Sequence, residues 1–91
     1  MYAPVANNYF NQLWTMNNNR DIDFIQQFGK NLRKIRKDKK MSQEDLAMNA
    51  DTSRSQIARI ERGEINPSIT TVNRFAKALQ INIQSLFLFD V

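Results

Sequence analysis

The sequence predicts an all-α domain of five helices, and three observations carry that prediction. From Asp21 onward, apolar residues recur at three- and four-residue steps. Ser42, Ser53 and Ser68 each stand just before such a run, where a hydroxyl can cap a helix. The 91 residues hold only two Gly and two Pro, too few for the tight turns of a sandwich or barrel, and no stretch alternates as a strand would. A chain of this length has room for one modest core and therefore one domain.

Residues 1–20 differ from the rest. They contain six Asn, no acid and one base, Arg20, and their apolar residues follow no sustained period. They are expected to form a flexible N-terminal arm. The domain proper is expected at 21–91. Its first helix begins near Asp21, carries the stripe Ile22, Ile25, Phe28, Leu32 and Ile35, and stops around residues 38–40. Ser42 caps the second helix, with Asp45 three residues later completing an acidic capping box. Leu46, Ala47 and Ala50 face inward, and Asp51-Thr52 makes a short turn. Ser53 caps the third helix, with Gln56 as the reciprocal box residue, Ile57 and Ile60 inside, and Gly63 as the left-handed stop. Ser68 caps the fourth, whose buried stripe is Ile69, Val72, Phe75, Ala76 and Leu79. A short fifth helix is expected at 82–87, followed by an apolar tail.

Composition excludes several chemistries. With no Cys there is no disulfide, thiol nucleophile or thiolate metal site, and with no His there is no Ser-His-Asp triad or ordinary zinc site. The acids are scattered singly apart from Glu44-Asp45, which capping explains. No enzyme activity, cofactor or metal is expected. No apolar run approaches the roughly 18–20 residues that span a bilayer, and no signal peptide is legible. The reading is a soluble cytoplasmic protein that binds neither a membrane nor a small-molecule ligand.

The net charge of +4 is unevenly placed. Residues 29–40 hold seven bases and one acid, a local charge of +6 that leaves −2 for the rest. Such a patch is either the footprint of a nucleic-acid partner or a solvated helix face. The third helix is more specific. On a wheel of 100° per residue, Arg54, Ser55, Ala58, Arg59 and Arg62 fall within about 140°, on the side away from Ile57 and Ile60. Small residues allow close approach to a duplex, and arginines are the bidentate readers of guanine in the major groove. Two short helices joined by a tight turn suggest a helix-turn-helix, in which the second presents its N-terminal part to the bases.

The runs Ser42-Gln43-Glu44-Asp45-Leu46-Ala47, Ser53-Arg54-Ser55-Gln56-Ile57-Ala58-Arg59-Ile60-Glu61-Arg62-Gly63 and Asn66-Pro67-Ser68 resemble the phage-repressor, Cro or XRE-type helix-turn-helix. The resemblance spans residues 28–87. It implies a lambda-repressor-like domain of five helices that binds double-stranded DNA as a homodimer on a two-fold operator and regulates transcription. By position it implies that Arg54, Ser55 and Arg59 face base edges and that Gln43 anchors a phosphate. Gln56, Arg62, Lys39 and Lys40 are further phosphate candidates, although Gln56 can be only a cap and Arg62 only a charge suiting the helix dipole. It also implies a structural ion pair of Glu61 with Arg36, which lies at the edge of the apolar stripe. Two positions depart from the pattern. Asp51 stands where Gly is usual, and Thr52 where an apolar residue is usual.

The tail residues Leu86, Phe87, Leu88, Phe89 and Val91 offer more apolar surface than a short terminal helix buries, and are the expected dimer interface, the alternative being that Leu86 and Phe87 are core and only the last residues are free. A second reading keeps the helix-turn-helix as a scaffold for a protein partner, as in the antitoxin of a toxin-antitoxin pair. That reading does not need Arg54 and Arg59 exposed together.

Overall fold

The computed structural model of the chain describes the backbone of residues 8–90 and the side chains of residues 21–90. Its elements are α1 (Asn8–Asp38), α2 (Gln43–Asn49), α3 (Arg54–Glu61), α4 (Ile69–Leu79) and a 3-10 helix, Ile83–Phe87. No strand occurs among the described residues. The fold is thus an all-α helix-turn-helix, with four α-helices among the described residues and not the expected five. Asn82 supplies no side-chain cap to the last segment, which is only five residues long and settles into the tighter helix.

The core is the set of inward stripes. Leu32, Leu46, Ile57, Ile60, Phe75, Leu79 and Leu86 are fully buried, each contributing on the order of 1.5–3 kcal/mol of apolar burial. Through them α2 packs on α3 and α4, and α1 packs on α3 and the 3-10 helix. Two expected core residues lie outside. Ile22 is 47% exposed and Ile69 is 85% exposed. Periodicity alone therefore does not bury a residue near the end of a packed stripe.

The first helix also begins earlier than expected, at Asn8 and not at Asp21. Asn is a poor helix former, but no Gly or Pro interrupts residues 8–28, so nothing breaks the backbone ladder. The part of the expected arm at residues 1–7 lies outside the described residues.

Ser42, Ser53 and Ser68 all sit in extended conformation and accept the backbone N–H three residues on. At Ser42 the box is reciprocal. The Asp45 N–H donates to Ser42 Oγ at 2.9 Å, and the Ser42 N–H donates to Asp45 Oδ2 at 3.0 Å. The hydrogen bond from the Ser42 backbone holds the Asp45 carboxyl below the ordinary carboxylate range. At Ser53 only half of the expected box forms, with the Gln56 N–H on Ser53 Oγ at 3.0 Å.

All four α-helices end in the same pair of backbone bonds, in which a left-handed residue lets the chain fold back over the last turn. The left-handed positions are Lys40 (φ 58°), Asp51 (φ 55°), Gly63 (φ 75°) and Gln80 (φ 57°). At α2 the Thr52 N–H reaches Ala47 O at 2.9 Å and the Asp51 N–H reaches Met48 O at 3.4 Å. Asp51 therefore adopts the conformation for which glycine is usual, at the modest strain that Asp tolerates. Thr52 is half-buried, and no buried side-chain N or O among the described residues lacks a partner.

Candidate nucleic-acid interface

The capped turn between α2 and α3 fixes which side of α3 looks outward. Ile57 and Ile60 are buried. Arg54, Ser55, Arg59 and Arg62 are exposed on the opposite side, with Ala58 half-buried between them. Arg54 and Ser55 occupy the first turn, beside amide N–H groups that carry the positive end of the helix dipole. Lys39 and Lys40 are exposed just after α1 and just before the Ser42 cap of α2. Lys30, Arg33, Lys34 and Lys37 are exposed along α1.

Behind this face lies a buried charged network. The Arg36 guanidinium donates to Glu61 side-on, Nε to Oε2 at 2.7 Å and Nη2 to Oε1 at 3.0 Å. Its Nη1 donates to Met41 O at 2.8 Å. The Gln43 Nε2 donates to Glu61 Oε1 at 3.1 Å. One carboxylate at the end of α3 is thus tied to α1 and to the first residue of α2. The Gln43 carboxamide nitrogen, expected on a phosphate, is engaged inside the protein because Glu61 stands within its reach. Gln56 is half-buried, and its backbone N–H serves the cap.

Two features of this region were not singled out from the sequence. The first is Gly29, buried on α1. A Cβ there would collide with the carbonyl oxygen of Ile60 and lie 2.7 Å from that of Glu61, so α1 and α3 meet backbone to backbone. The second is Glu64. Its carboxylate accepts Arg62 Nε at 2.7 Å and Arg62 Nη2 at 3.3 Å, and it stands 3.6 Å from Arg59 Nε. The hydrogen bond from Arg62 holds the Glu64 carboxyl below its ordinary value and raises Arg62 above its own. A signal for this exists in the sequence: an acid directly after a helix-ending Gly folds back over the residue five before it, here Arg59.

The tail divides. Leu86 is fully buried, and Asn31 Nδ2 donates to Ser85 O at 3.1 Å and Leu86 O at 2.9 Å, pinning the 3-10 helix to α1. Leu86 is therefore core and is withdrawn from the dimer interface, because its side chain is already enclosed by its own domain. Phe87 is 40% exposed and stacks on Phe24 with centroids 6.1 Å apart. Phe89 is half-buried against Phe24, at 5.3 Å. Leu88 is 73% exposed. Val91 lies outside the described residues. Beside Phe87 an open apolar cleft of about 380 Å³ runs between Phe24, Phe28, Pro67, Ile69, Val72 and Ile83. No helix among the described residues is long and apolar enough to cross a membrane.

Comparison with known proteins agrees with this geometry. Residues 32–86 match the helix-turn-helix family HTH_3. The chain is 41% identical over 58 residues to the immunity repressor protein of Bacillus phage phi105, covering 64% of this chain and only 40% of that repressor. It is 41% identical over 63 residues to the control protein C.BamHI of Bacillus amyloliquefaciens, covering 68% of this chain and 78% of the relative. Among solved structures it resembles the restriction-modification controller protein C.AhdI from Aeromonas hydrophila, with a TM-score of 0.68, 38% identity, and coverage of 69% of this chain and 96% of the other. These relatives carry the names of regulators and not of enzymes. The chain belongs to the HTH_3 helix-turn-helix family, of the Cro and XRE DNA-binding type.

Proposed function

We propose that the chain is a sequence-specific, double-stranded DNA-binding regulator of transcription that works as a homodimer and catalyses no reaction. The observation that carries this reading is the exposed Arg54–Ser55–Arg59 face, held from behind by the buried Arg36–Glu61 pair. In this reading α3 enters the major groove. Arg54 and Arg59 donate to base edges and Ser55 makes the short contact between them. Lys39, Lys40 and the N-terminal turns of the helices hold phosphates and set register. Gln56 contributes to that backbone grip.

Arg54→Ala and Arg59→Ala should each cost about 1–3 kcal/mol on the preferred site and relax base preference. Lys40→Ala should weaken all sequences alike and make the logarithm of affinity fall less steeply with salt. Anisotropy titrations on operator-like and scrambled duplexes at several salt concentrations separate the two behaviours. Equal losses on every duplex for all three variants would contradict base reading. A module that binds only protein, such as a non-DNA-binding antitoxin, would show no steep salt dependence on any duplex.

A single domain offers little contact for tight specific binding, and a two-fold dimer supplies the second half-site. The exposed apolar side chains Phe24, Ile69 and Phe87 lining the cleft support a contact on that face. Ile69 is nearly fully exposed in the first turn of α4, where Asp suits the dipole, so Ile69→Asp should leave the monomer folded. Light scattering should find a dimer for the native chain and a monomer for Ile69→Asp. An undiminished dimer mass would remove this face from the interface.

A further inference from the structure

The arginines on the exposed side of α3 are not equivalent. Arg62 presents its Nε and Nη2 side-on to Glu64, at 2.7 and 3.3 Å. One of the two edges with which a guanidinium grips a pair of acceptors is thereby occupied, and one Nη of the other edge is shared with it. Arg59 approaches the same carboxylate with its Nε at 3.6 Å, beyond hydrogen-bond distance, and its side chain is half exposed. Backbone geometry puts the carboxylate there. The Gly63 N–H donates to Ile60 O at 2.9 Å and the Glu64 N–H donates to Arg59 O at 2.9 Å, so residue 64 is folded over residue 59.

We propose that Glu64 is a positioning residue for base recognition: Arg62 fixes Glu64, and Glu64 backs Arg59 through Nε so that its two Nη groups point outward as a pair. This inference rests on the DNA-binding reading above. A guanine edge offers O6 and N7 to two parallel donors, which the open end of Arg59 can supply. A carboxylate at the back of the guanidinium restricts its rotamers before the duplex arrives, which lowers the ordering cost of the contact. It also keeps the cation paired as the groove removes water from it. Arg62 becomes the outer strut of this brace and not a phosphate anchor.

The test uses the full chain and a set of duplexes in which each operator position is varied in turn. The variants are Glu64→Gln, Arg62→Met and the two combined. Each single substitution should lower discrimination about two- to fivefold, the scale of an exposed charged pair. The loss should fall at one base pair, the same one whose preference Arg59→Ala abolishes. Other positions and the salt dependence should stay as in the native chain, and the double variant should lose no more than either single one. Three results would overturn the brace. The first is undiminished discrimination at that base pair in Glu64→Gln. The second is tighter binding of Glu64→Gln to every sequence with a steeper salt dependence, which makes Glu64 a competitor of the phosphates. The third is a uniform loss in Arg62→Met with a slope smaller by about one, which makes Arg62 a phosphate contact. A native chain with no base preference at all would instead refute the DNA-reading function, and the brace with it.

Discussion

Glu61→Gln is expected to lower the free energy of unfolding by about 3–5 kcal/mol, although it changes neither the size nor the shape of the side chain. The reason is the position of Arg36. Its guanidinium is buried, and both of its carboxylate contacts, at 2.7 and 3.0 Å, are to Glu61. With the carboxylate replaced by a carboxamide, a full positive charge stays in the core with no counter-charge, and one of the two oxygens that accept from it becomes a donor facing it. In a domain whose total stability is on the order of 5–15 kcal/mol, that loss is a large fraction. Removing both charges together, as Arg36→Met with Glu61→Leu, should cost clearly less than Glu61→Gln alone, because no unpaired charge is left. Urea denaturation of the three variants measures the coupling. A loss below about 1 kcal/mol for Glu61→Gln would mean that water reaches Arg36 and that the pair does not set the seat of α3.

Gly29→Ala should also destabilise the chain, by about 1–3 kcal/mol, although alanine in a helix interior normally gains about 1 kcal/mol over glycine. The added methyl would meet the carbonyl oxygens of Ile60 and Glu61. These are backbone atoms at the end of α3 and cannot turn aside as a side chain would. Relief requires α3 to move away from α1, which pulls Glu61 from Arg36 and tilts the exposed arginine face. DNA affinity should therefore fall further than the folded fraction alone accounts for. Thermal melts combined with duplex titration below the melting range separate the two losses. A stabilised Gly29→Ala variant would show that the two helices do not approach this closely.

Much of the fold is legible in the sequence because caps and stripes are local. Ser42, Ser53 and Ser68 cap their helices with the N–H three residues on, as spacing alone requires. Ile57 and Ile60 set the orientation of α3, and that orientation leaves Arg54, Ser55 and Arg59 outside. What escaped the reading depends on contacts between distant segments. A lone Gly within a helical run carries no mark of the helix pressed against it, so Gly29 reads as an ordinary weak point. Ile22 and Ile69 fit their stripes by period, yet both stay largely open to solvent. Leu86 belongs by composition to an apolar tail, and only its complete burial against the rest of the domain shows it to be core. Gln43 carries no mark in the sequence of the bond that its carboxamide nitrogen makes to Glu61, a residue 18 positions away.

The most direct measurement is selection of bound duplexes from a random DNA pool by the full chain, repeated with Arg59→Ala. If the α3 face reads bases in a two-fold dimer, the enriched sites will be palindromic, with half-sites centred about 34 Å or a multiple of it apart. The Arg59→Ala pool will then keep that spacing and lose its preference at one symmetric base pair. Enrichment of no common motif, or an identical motif from both proteins, would show that this surface does not read the sequence of a duplex.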